Sequence, residues 1–257
     1  MSPVTQGILG GLAAGAATGL GAAGVYTVRA LSRRGEDVLL SSAAGIMLAA
    51  TFFALLAPAV DEALRQSASA TSAAFVVGGA VALGIGLLSL VHRLVPHEHF
   101  ETGREGLDVR SIRRIWLFVF AITLHNLPEG LAVGVGFAGG DVQGGLSLAI
   151  GIGLQNVPEG LAVAAGLTAI GYGRGTAFLV SLGTGVLEAL GAAAGAAFAS
   201  LTAALLPWAL GFAGGAMLFV ITSEIIPETH RGDSKREASF ALLTGFLVMM
   251  MLDVALG

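Results

Sequence analysis

The chain has 257 residues, of which 55% are hydrophobic and only 12% are charged. That charged share is about half of what a soluble domain carries, and the 39 glycines suit helices that pack closely in lipid. The net charge of -4 argues against nucleic acid as a partner, and the lack of cysteine excludes disulfides and thiolate metal sites. The composition predicts an integral membrane protein whose solvent is the lipid bilayer.

Eight apolar segments are long enough to cross a bilayer, which takes about 20 residues per helix. They cover residues 5–28, 38–61, 72–94, 114–138, 145–169, 176–200, 203–226 and 238–256. No basic residue precedes the first segment, so we expect a retained helix there rather than a cleaved signal peptide. We predict one all-α polytopic membrane domain over residues 1–257, with a polar cytoplasmic loop at about 95–113.

The basic residues indicate how these spans are oriented. Every Lys and Arg except Arg65 lies in or next to a loop that follows the first, third, fifth or seventh span. Basic loops stay on the cytoplasmic side. We therefore expect a multi-pass protein of the cell inner (plasma) membrane, with both termini outside, in the periplasm or extracellular space.

The fourth and fifth spans repeat one motif, (H/Q)-N-(L/V)-P-E-G-L-A-V. His125 and Glu129 in the fourth span, and Gln155 and Glu159 in the fifth, are four residues apart and share a helix face. Corresponding helices that are each interrupted by Pro and Gly point to the binding site of a transporter. Together these side chains offer an imidazole, an amide oxygen and two carboxylates, a ligand set that suits Zn²⁺ and its first-row neighbours.

Two more residues inside the spans are candidates for the metal pathway. Glu188 in the sixth span has no basic residue in the same span, so we assign it to the metal pathway because an unpaired buried carboxylate needs a proton or a cation. Met47 in the second span is either a core filler or a thioether ligand, and its spacing leaves both interpretations open.

The same residues bear on other functions. An intramembrane metalloprotease would show H-E-x-x-H, which this sequence lacks. A proton relay without metal, a proton-coupled carrier of another solute and a metal-selective channel stay open. We expect no enzymatic activity and no organic cofactor.

These motifs resemble the ZIP (Zrt/Irt-like protein) family of divalent metal transporters, in its bacterial GufA-like branch, over nearly the whole chain. Besides the two P-E-G helices, the resemblance rests on residues 44–50, 96–99, 115–118, 226–231 and 251–257. It implies transport of divalent metal toward the cytoplasm, for which our mechanistic hypothesis is elevator-like alternating access. The ligand chemistry accepts zinc, cadmium, manganese, iron or cobalt. The resemblance also implies a 3+2+3 bundle in which spans 1–3 and 6–8 form an inverted repeat, and it is compatible with a homodimer.

The resemblance also implies site residues by position. The primary metal site would consist of Met47, His125, Glu129, Gln155 and Glu159. A second site, sharing both motif glutamates, would add Asn126, Asn156 and Glu188. The entrance would carry Asp61 and Asp253, for which solvated helix ends are the alternative. The exit would carry His97, His99, Glu224 and His230, and a solvated loop is the alternative for His230.

One residue departs from the family pattern. Many members have an acidic residue where Asn156 stands, and the loss of that charge should weaken a second metal. We therefore expect one tightly bound ion, although Glu188 leaves the number open. We also expect Gly- and Ala-rich faces, such as residues 191–199, to allow close sliding between moving and stationary helices.

Overall fold

The protein is described by a computed structural model over residues 1–27, 32–94, 109–138, 140, 142–230 and 234–256. These ranges contain no strand and eight helices long and apolar enough to cross a membrane. The helices are α1 (Pro3–Tyr26), α2 (Arg33–Gln66), α3 (Ala70–Val91), α4 (Phe118–Ala138), α5 (Val142–Ala169), α6 (Arg174–Ala199), α7 (Ala203–Thr229) and α8 (Lys235–Ala255). The predicted all-α membrane class is confirmed.

The helix containing α4 begins at Val109, before the membrane span itself. Its first turns carry arginines that the sequence pattern places in the loop at about 95–113. Arginine favours helix, so the helix continues past the apolar segment from which its start was predicted. Residues 95–108 of that loop lie outside the described residues.

Three of the membrane helices are interrupted. In α2 the residues Thr51–Leu56 form a π-helix, and in α7 the residues Ile221–Ile225 do the same. Each π-helix lies just before a proline, which cannot donate a backbone hydrogen bond and so disturbs the regular ladder. Helix α6 is broken at Gly185. The π-helix of α7 contains Glu224, one of the predicted exit residues.

The sequences of α1 and α2 recur in α6 and α7. Five residues of the first pair of helices are identical to the residues 170 positions later in the chain. They are Leu12, Gly15, Gly21, Gly45 and Met47, which match Leu182, Gly185, Gly191, Gly215 and Met217. The helix packing repeats in the same way. Helix α2 packs against α8 as α7 packs against α3, and α1 packs against α5 as α6 packs against α4. An internal repeat of spans 1–3 and 6–8 would require this pairing. The inversion of that repeat and the outward termini stay predictions.

Helices α1, α4, α5 and α6 are held together by direct backbone contact. Gly15 and Gly185 face each other so closely that a Cβ on either would overlap the carbonyl oxygen of the other. A Cβ on Gly130 would overlap the carbonyl of Glu188. We call these four helices the inner group.

Helices α2, α3, α7 and α8 form the outer group, with α2 against α8 and α3 against α7. The seam between the groups runs where α2 meets α5 and α4 meets α7. A cavity of about 460 Å³ interrupts the seam between α3, α7, α4 and α6, and its lining is apolar, including Leu83, Leu131 and Phe198. The side chains of the two groups therefore leave an apolar space between them at this part of the seam.

Candidate metal centre

Three ionisable side chains meet in the middle of the inner group. His125 and Glu129 on α4 and Glu159 on α5 each offer a ligand atom, and these atoms lie within 4.8 Å of one another. Nε2 of His125 is 3.7 Å from Oε1 of Glu129. All three residues are at most 2% exposed. The fourth and fifth spans thus face each other with their motif residues turned inward.

Gln155 belongs to the same cluster. Its amide nitrogen donates to Oε1 of Glu129, so the amide of α5 and the carboxylate of α4 are in direct contact. This orientation leaves the Oε1 atom of Gln155 as an acceptor. Met47 on α2 is fully buried in the apolar core, on a helix that packs against α5.

The polar atoms of the cluster are largely unsatisfied. Within the described residues, hydrogen-bond partners are lacking for both ring nitrogens of His125, Oε2 of Glu129, Oε1 of Gln155 and both carboxylate oxygens of Glu159. Each buried polar atom without a partner costs about 1–3 kcal/mol. So many of them in one place indicate a ligand. Mixed nitrogen and oxygen donors fit a divalent transition metal ion, and two carboxylates balance its charge.

A second polar group lies beside the first, on the side of α1 and α6. The amide nitrogen of Asn156 donates to both carboxylate oxygens of Glu188, at 2.8 and 2.9 Å, and to the carbonyl oxygen of Ala14 at 2.8 Å. Glu188 and Asn156 are buried. Asn126 is buried as well, and neither end of its amide has a partner among the described residues.

The P-E-G order of the motif explains how the His125 cluster and the polar side chains around Asn156 come together. Pro128 and Pro158 lie inside continuous helices, and each is followed at once by a site glutamate. The next residue is a glycine, which allows the neighbouring helix to approach: Gly130 touches the backbone at Glu188, and Gly160 touches the backbone at Thr18. The motif thus supplies a candidate ligand and, directly after it, a contact with α6 or α1.

The predicted entrance residues differ in their surroundings. Asp61 is exposed. Asp253 is partly buried and accepts a hydrogen bond of 2.8 Å from Oγ of Ser147, which links α8 to α5. A cavity of about 120 Å³ between α2, α4, α5 and α7 is lined instead by Glu62, whose carboxylate is bonded by Arg65. Neither residue was predicted at the entrance, although the i, i+3 spacing of this pair is a recognised ion-pair signal.

Of the predicted exit residues, only Glu224 is close to the cluster among those that the structure describes. Its Oε2 atom is 3.6 Å from Nδ1 of His125. His230 bonds to Thr229 and Ser239 near the end of α7. His97 and His99 lie outside the described residues.

A buried acid on α2 was also missed. Asp37 is buried, and its Oδ2 atom has no hydrogen-bond partner in the described part of the chain. Ser41, one turn further along the same helix, has a buried hydroxyl of the same kind. The sequence signal is weak, because an aspartate directly before an apolar segment ordinarily indicates a solvated helix end.

Comparison with known proteins points to one family. The family model for the ZIP zinc transporters matches residues 93–253. The chain is 46% identical to "Zinc transporter ZIPB" of Bordetella bronchiseptica over 254 residues, which is 99% of this chain and 82% of the relative. It is 46% identical to "Zinc transporter GufA" of Myxococcus xanthus, over 98% of this chain and 99% of the relative. It is also 34% identical to "Zinc transporter ZIP11" of Homo sapiens, over 100% and 98% respectively. With a buried cluster of side chains that could hold a metal ion inside eight membrane helices, and with relatives matched along its whole length, this chain belongs to the ZIP zinc transporter family.

Proposed function

We propose that this protein carries divalent transition metal ions, zinc first among them, across the cell inner membrane toward the cytoplasm. The observation that carries the proposal is the set of ligand atoms from His125, Glu129 and Glu159 within 4.8 Å of one another at a fully buried position. The names of the related proteins support zinc as the transported ion.

The ion is held by side chains of the inner group. His125 supplies a nitrogen, Glu129 and Glu159 supply carboxylate oxygens, and Gln155 supplies its amide oxygen, with the thioether of Met47 approaching from α2. Such a set also accepts Cd²⁺, Mn²⁺, Fe²⁺ or Co²⁺, because geometry and supply decide between metals of this kind. The ligands do not require an organic cofactor.

Transport proceeds by alternating access, in which the inner group moves as a unit against the outer group. The backbone contacts among α1, α4, α5 and α6 support movement as one body, and the incompletely filled seam supports displacement along it. The smaller cavity, which Glu62 lines, lies on the entrance side, and Glu224 lies on the exit side. Both termini face outward in this arrangement. The arrangement is also compatible with a homodimer.

Zinc uptake into proteoliposomes tests the proposal. Wild type is compared with His125→Ala and Glu129→Ala, and Glu237→Gln is the control because Glu237 is a surface carboxylate paired with Arg34 at 2.8 Å. We expect saturable uptake by wild type and by the control, and loss of uptake in both site variants. Wild type that moves no zinc, or site variants that match it, would contradict the proposal.

The same assay separates a carrier from a metal-selective channel. A carrier binds and moves one load in each cycle, so its rate saturates with zinc concentration. Uptake that rises linearly to concentrations far above the dissociation constant would favour the channel.

A further inference from the structure

The apolar cavity of about 460 Å³ at the seam opens on the surface that faces the bilayer. Its deep wall is formed by buried residues, among them Val135 on α4 and Ala209 on α7. Its rim is exposed: Leu83 on α3 is 60% exposed, Phe198 on α6 49% and Trp208 on α7 37%. All four helices are membrane spans, so this rim lies against lipid. The cavity is therefore continuous with the hydrocarbon layer of the membrane.

The mouth of the cavity coincides with the seam. Helices α3 and α7 pack closely against each other on one side of the mouth, and α6, on the other side, packs against α4 and has little contact with α7. One side of the mouth thus belongs to the outer group and the other to the inner group. A molecule inside the cavity contacts both groups at once.

The lining decides what such a molecule can be. Among the described residues that line the cavity none is charged, and the indole nitrogen of Trp208 is their single polar side-chain atom. Water needs two to four polar partners, so apolar cavities stay dry, and one of about 150 Å³ is already large enough to bind benzene. An ion or a peptide would find no partner here. A flexible hydrocarbon chain fits, and the bilayer supplies such chains directly at the rim.

We infer that this cavity binds an acyl chain of a membrane phospholipid, which enters between α6 and the pair of α3 and α7. Trp208 lies close to the start of α7, where tryptophan is favoured at the membrane interface. The chain enters beside Trp208 and runs toward Leu83, near the middle of α3. The headgroup stays outside the cavity, at the end of the bundle where α6 is joined to α7.

Tryptophan fluorescence tests the inference, because the chain has two tryptophans of nearly equal exposure. Trp116 is 40% exposed, and it lies outside the cavity that Trp208 lines. Trp116→Phe leaves Trp208 as the reporter, and Trp208→Phe leaves Trp116. Each full-length protein in detergent is titrated with phosphatidylcholine whose acyl chains carry bromine, which quenches indole on contact.

Site binding saturates, whereas chance contact follows the proportion of lipid in the micelle. We therefore expect half-maximal quenching of Trp208 at a lipid-to-detergent ratio about tenfold lower than for Trp116. Quenching of both tryptophans over the same range would mean contact with bulk lipid only and would overturn the inference.

A matched pair of variants locates the chain, each combined with Trp116→Phe. Ala194→Phe places a ring in the cavity, which Ala194 lines from α6. Ala197→Phe is the control, because Ala197 is exposed on the same helix and lies outside the lining. We expect Ala194→Phe to move the quenching of Trp208 to the range of Trp116, and Ala197→Phe to leave it unchanged. Equal quenching in the two variants, both folded by size exclusion, would place the chain elsewhere and overturn the inference.

The effect of the lipid on transport rests on the proposed function, whereas its binding does not. A ring fixed to α6 would obstruct movement of the inner group past Trp208 and Phe212, which a fluid acyl chain allows. Zinc uptake by Ala194→Phe should therefore be at least about threefold slower than by Ala197→Phe. Equal uptake, with the difference in quenching intact, would overturn this role of the site in the transport cycle. Wild type that moves no zinc would contradict the proposed function and leave the lipid site standing.

Discussion

Nδ1 of His125 on α4 lies 3.6 Å from Oε2 of Glu224 on α7. This contact crosses the seam, because α4 belongs to the inner group and α7 to the outer group. The histidine thus has a carboxylate of its own cluster near one ring nitrogen and a carboxylate of the other group near the other. Glu224 lies within the π-helix of α7.

Glu224→Gln should slow transport without abolishing metal binding. The carboxylate offers an ion that leaves the primary cluster an anionic ligand on the outer group, and the amide removes its charge while keeping its shape. We expect the maximal zinc uptake rate to fall about tenfold and the zinc dissociation constant to change less than threefold, one decade corresponding to about 1.4 kcal/mol. Uptake kinetics and calorimetry measure the two quantities. A dissociation constant that rises as much as the rate falls would instead make Glu224 part of the primary site.

Gly130→Ala should damage both the fold and transport. The added methyl group would overlap the backbone carbonyl of Glu188, and backbone cannot move aside as a side-chain end can. Overpacking of this kind costs about 1–3 kcal/mol, so the melting temperature in detergent should fall together with zinc uptake. Gly78→Ala is the matched control, since a Cβ at that position on α3 meets no atom within 4 Å. Equal melting temperatures for the two variants would show that α4 and α6 are not packed as described.

Zinc binding should weaken as the pH falls. Carboxylate and imidazole ligands bind a metal only when they are deprotonated, so protons compete with zinc and binding releases them. Affinity is therefore highest at neutral pH and declines in acid, and we expect at least a tenfold loss between about pH 7.5 and about pH 5.5. Calorimetry at constant ionic strength measures it, with circular dichroism to verify that the helices persist. Constant affinity over this range would contradict a site built from these ligands.

The hydrogen bond between Ser147 and Asp253 should stabilise the present position of the inner group relative to the outer group. It crosses the seam from α5 to α8, and a hydrogen bond to a charged group contributes about 1.5–3 kcal/mol. Ser147→Ala should therefore increase the population of molecules in which the two groups have moved relative to each other. We expect that movement to open the cavity that Ala54 lines. Because the chain has no native cysteine, Ala54→Cys reports this opening through its rate of labelling by a water-soluble maleimide.

We expect faster labelling when Ser147→Ala is added to Ala54→Cys. Ser42→Ala serves as the control, since the Ser42 hydroxyl donates to a carbonyl of its own helix. An unchanged or slower rate after loss of the Ser147 hydroxyl would mean that the bond does not hold the seam closed.

The spans and the cluster were within reach of the sequence because both depend on local pattern. Hydropathy locates a membrane helix wherever it packs, and i, i+4 spacing puts His125 with Glu129, and Gln155 with Glu159, on one face. The P-E-G repeat added that the two helices act as a pair. None of these steps needed to know which other helices are neighbours.

The choice of neighbours was not predictable from one helix at a time. Residues 191–199 were expected at a sliding surface. Gly191 and Gly195 pack against the backbone of α4, inside the inner group, whereas Phe198 lines the cavity at the seam. Successive side chains of a helix point in directions about 100° apart. At the end of α2, Glu62 therefore lines the cavity, and its neighbour Asp61 does not. Comparison of the chain with itself would have paired α1 with α6, but it would not have shown that Gly15 and Gly185 touch.

The glycine contacts of the inner group also determine where movement meets resistance. Two backbones in contact have no side-chain rotamers to rearrange. The contacts of Gly15 with Gly185 and of Gly130 with Glu188 therefore resist relative movement of their helices. The seam, by contrast, carries larger side chains and an apolar cavity. Substitutions at the glycine contacts should therefore alter how much folded protein exists, whereas substitutions along the seam should alter how fast each molecule cycles.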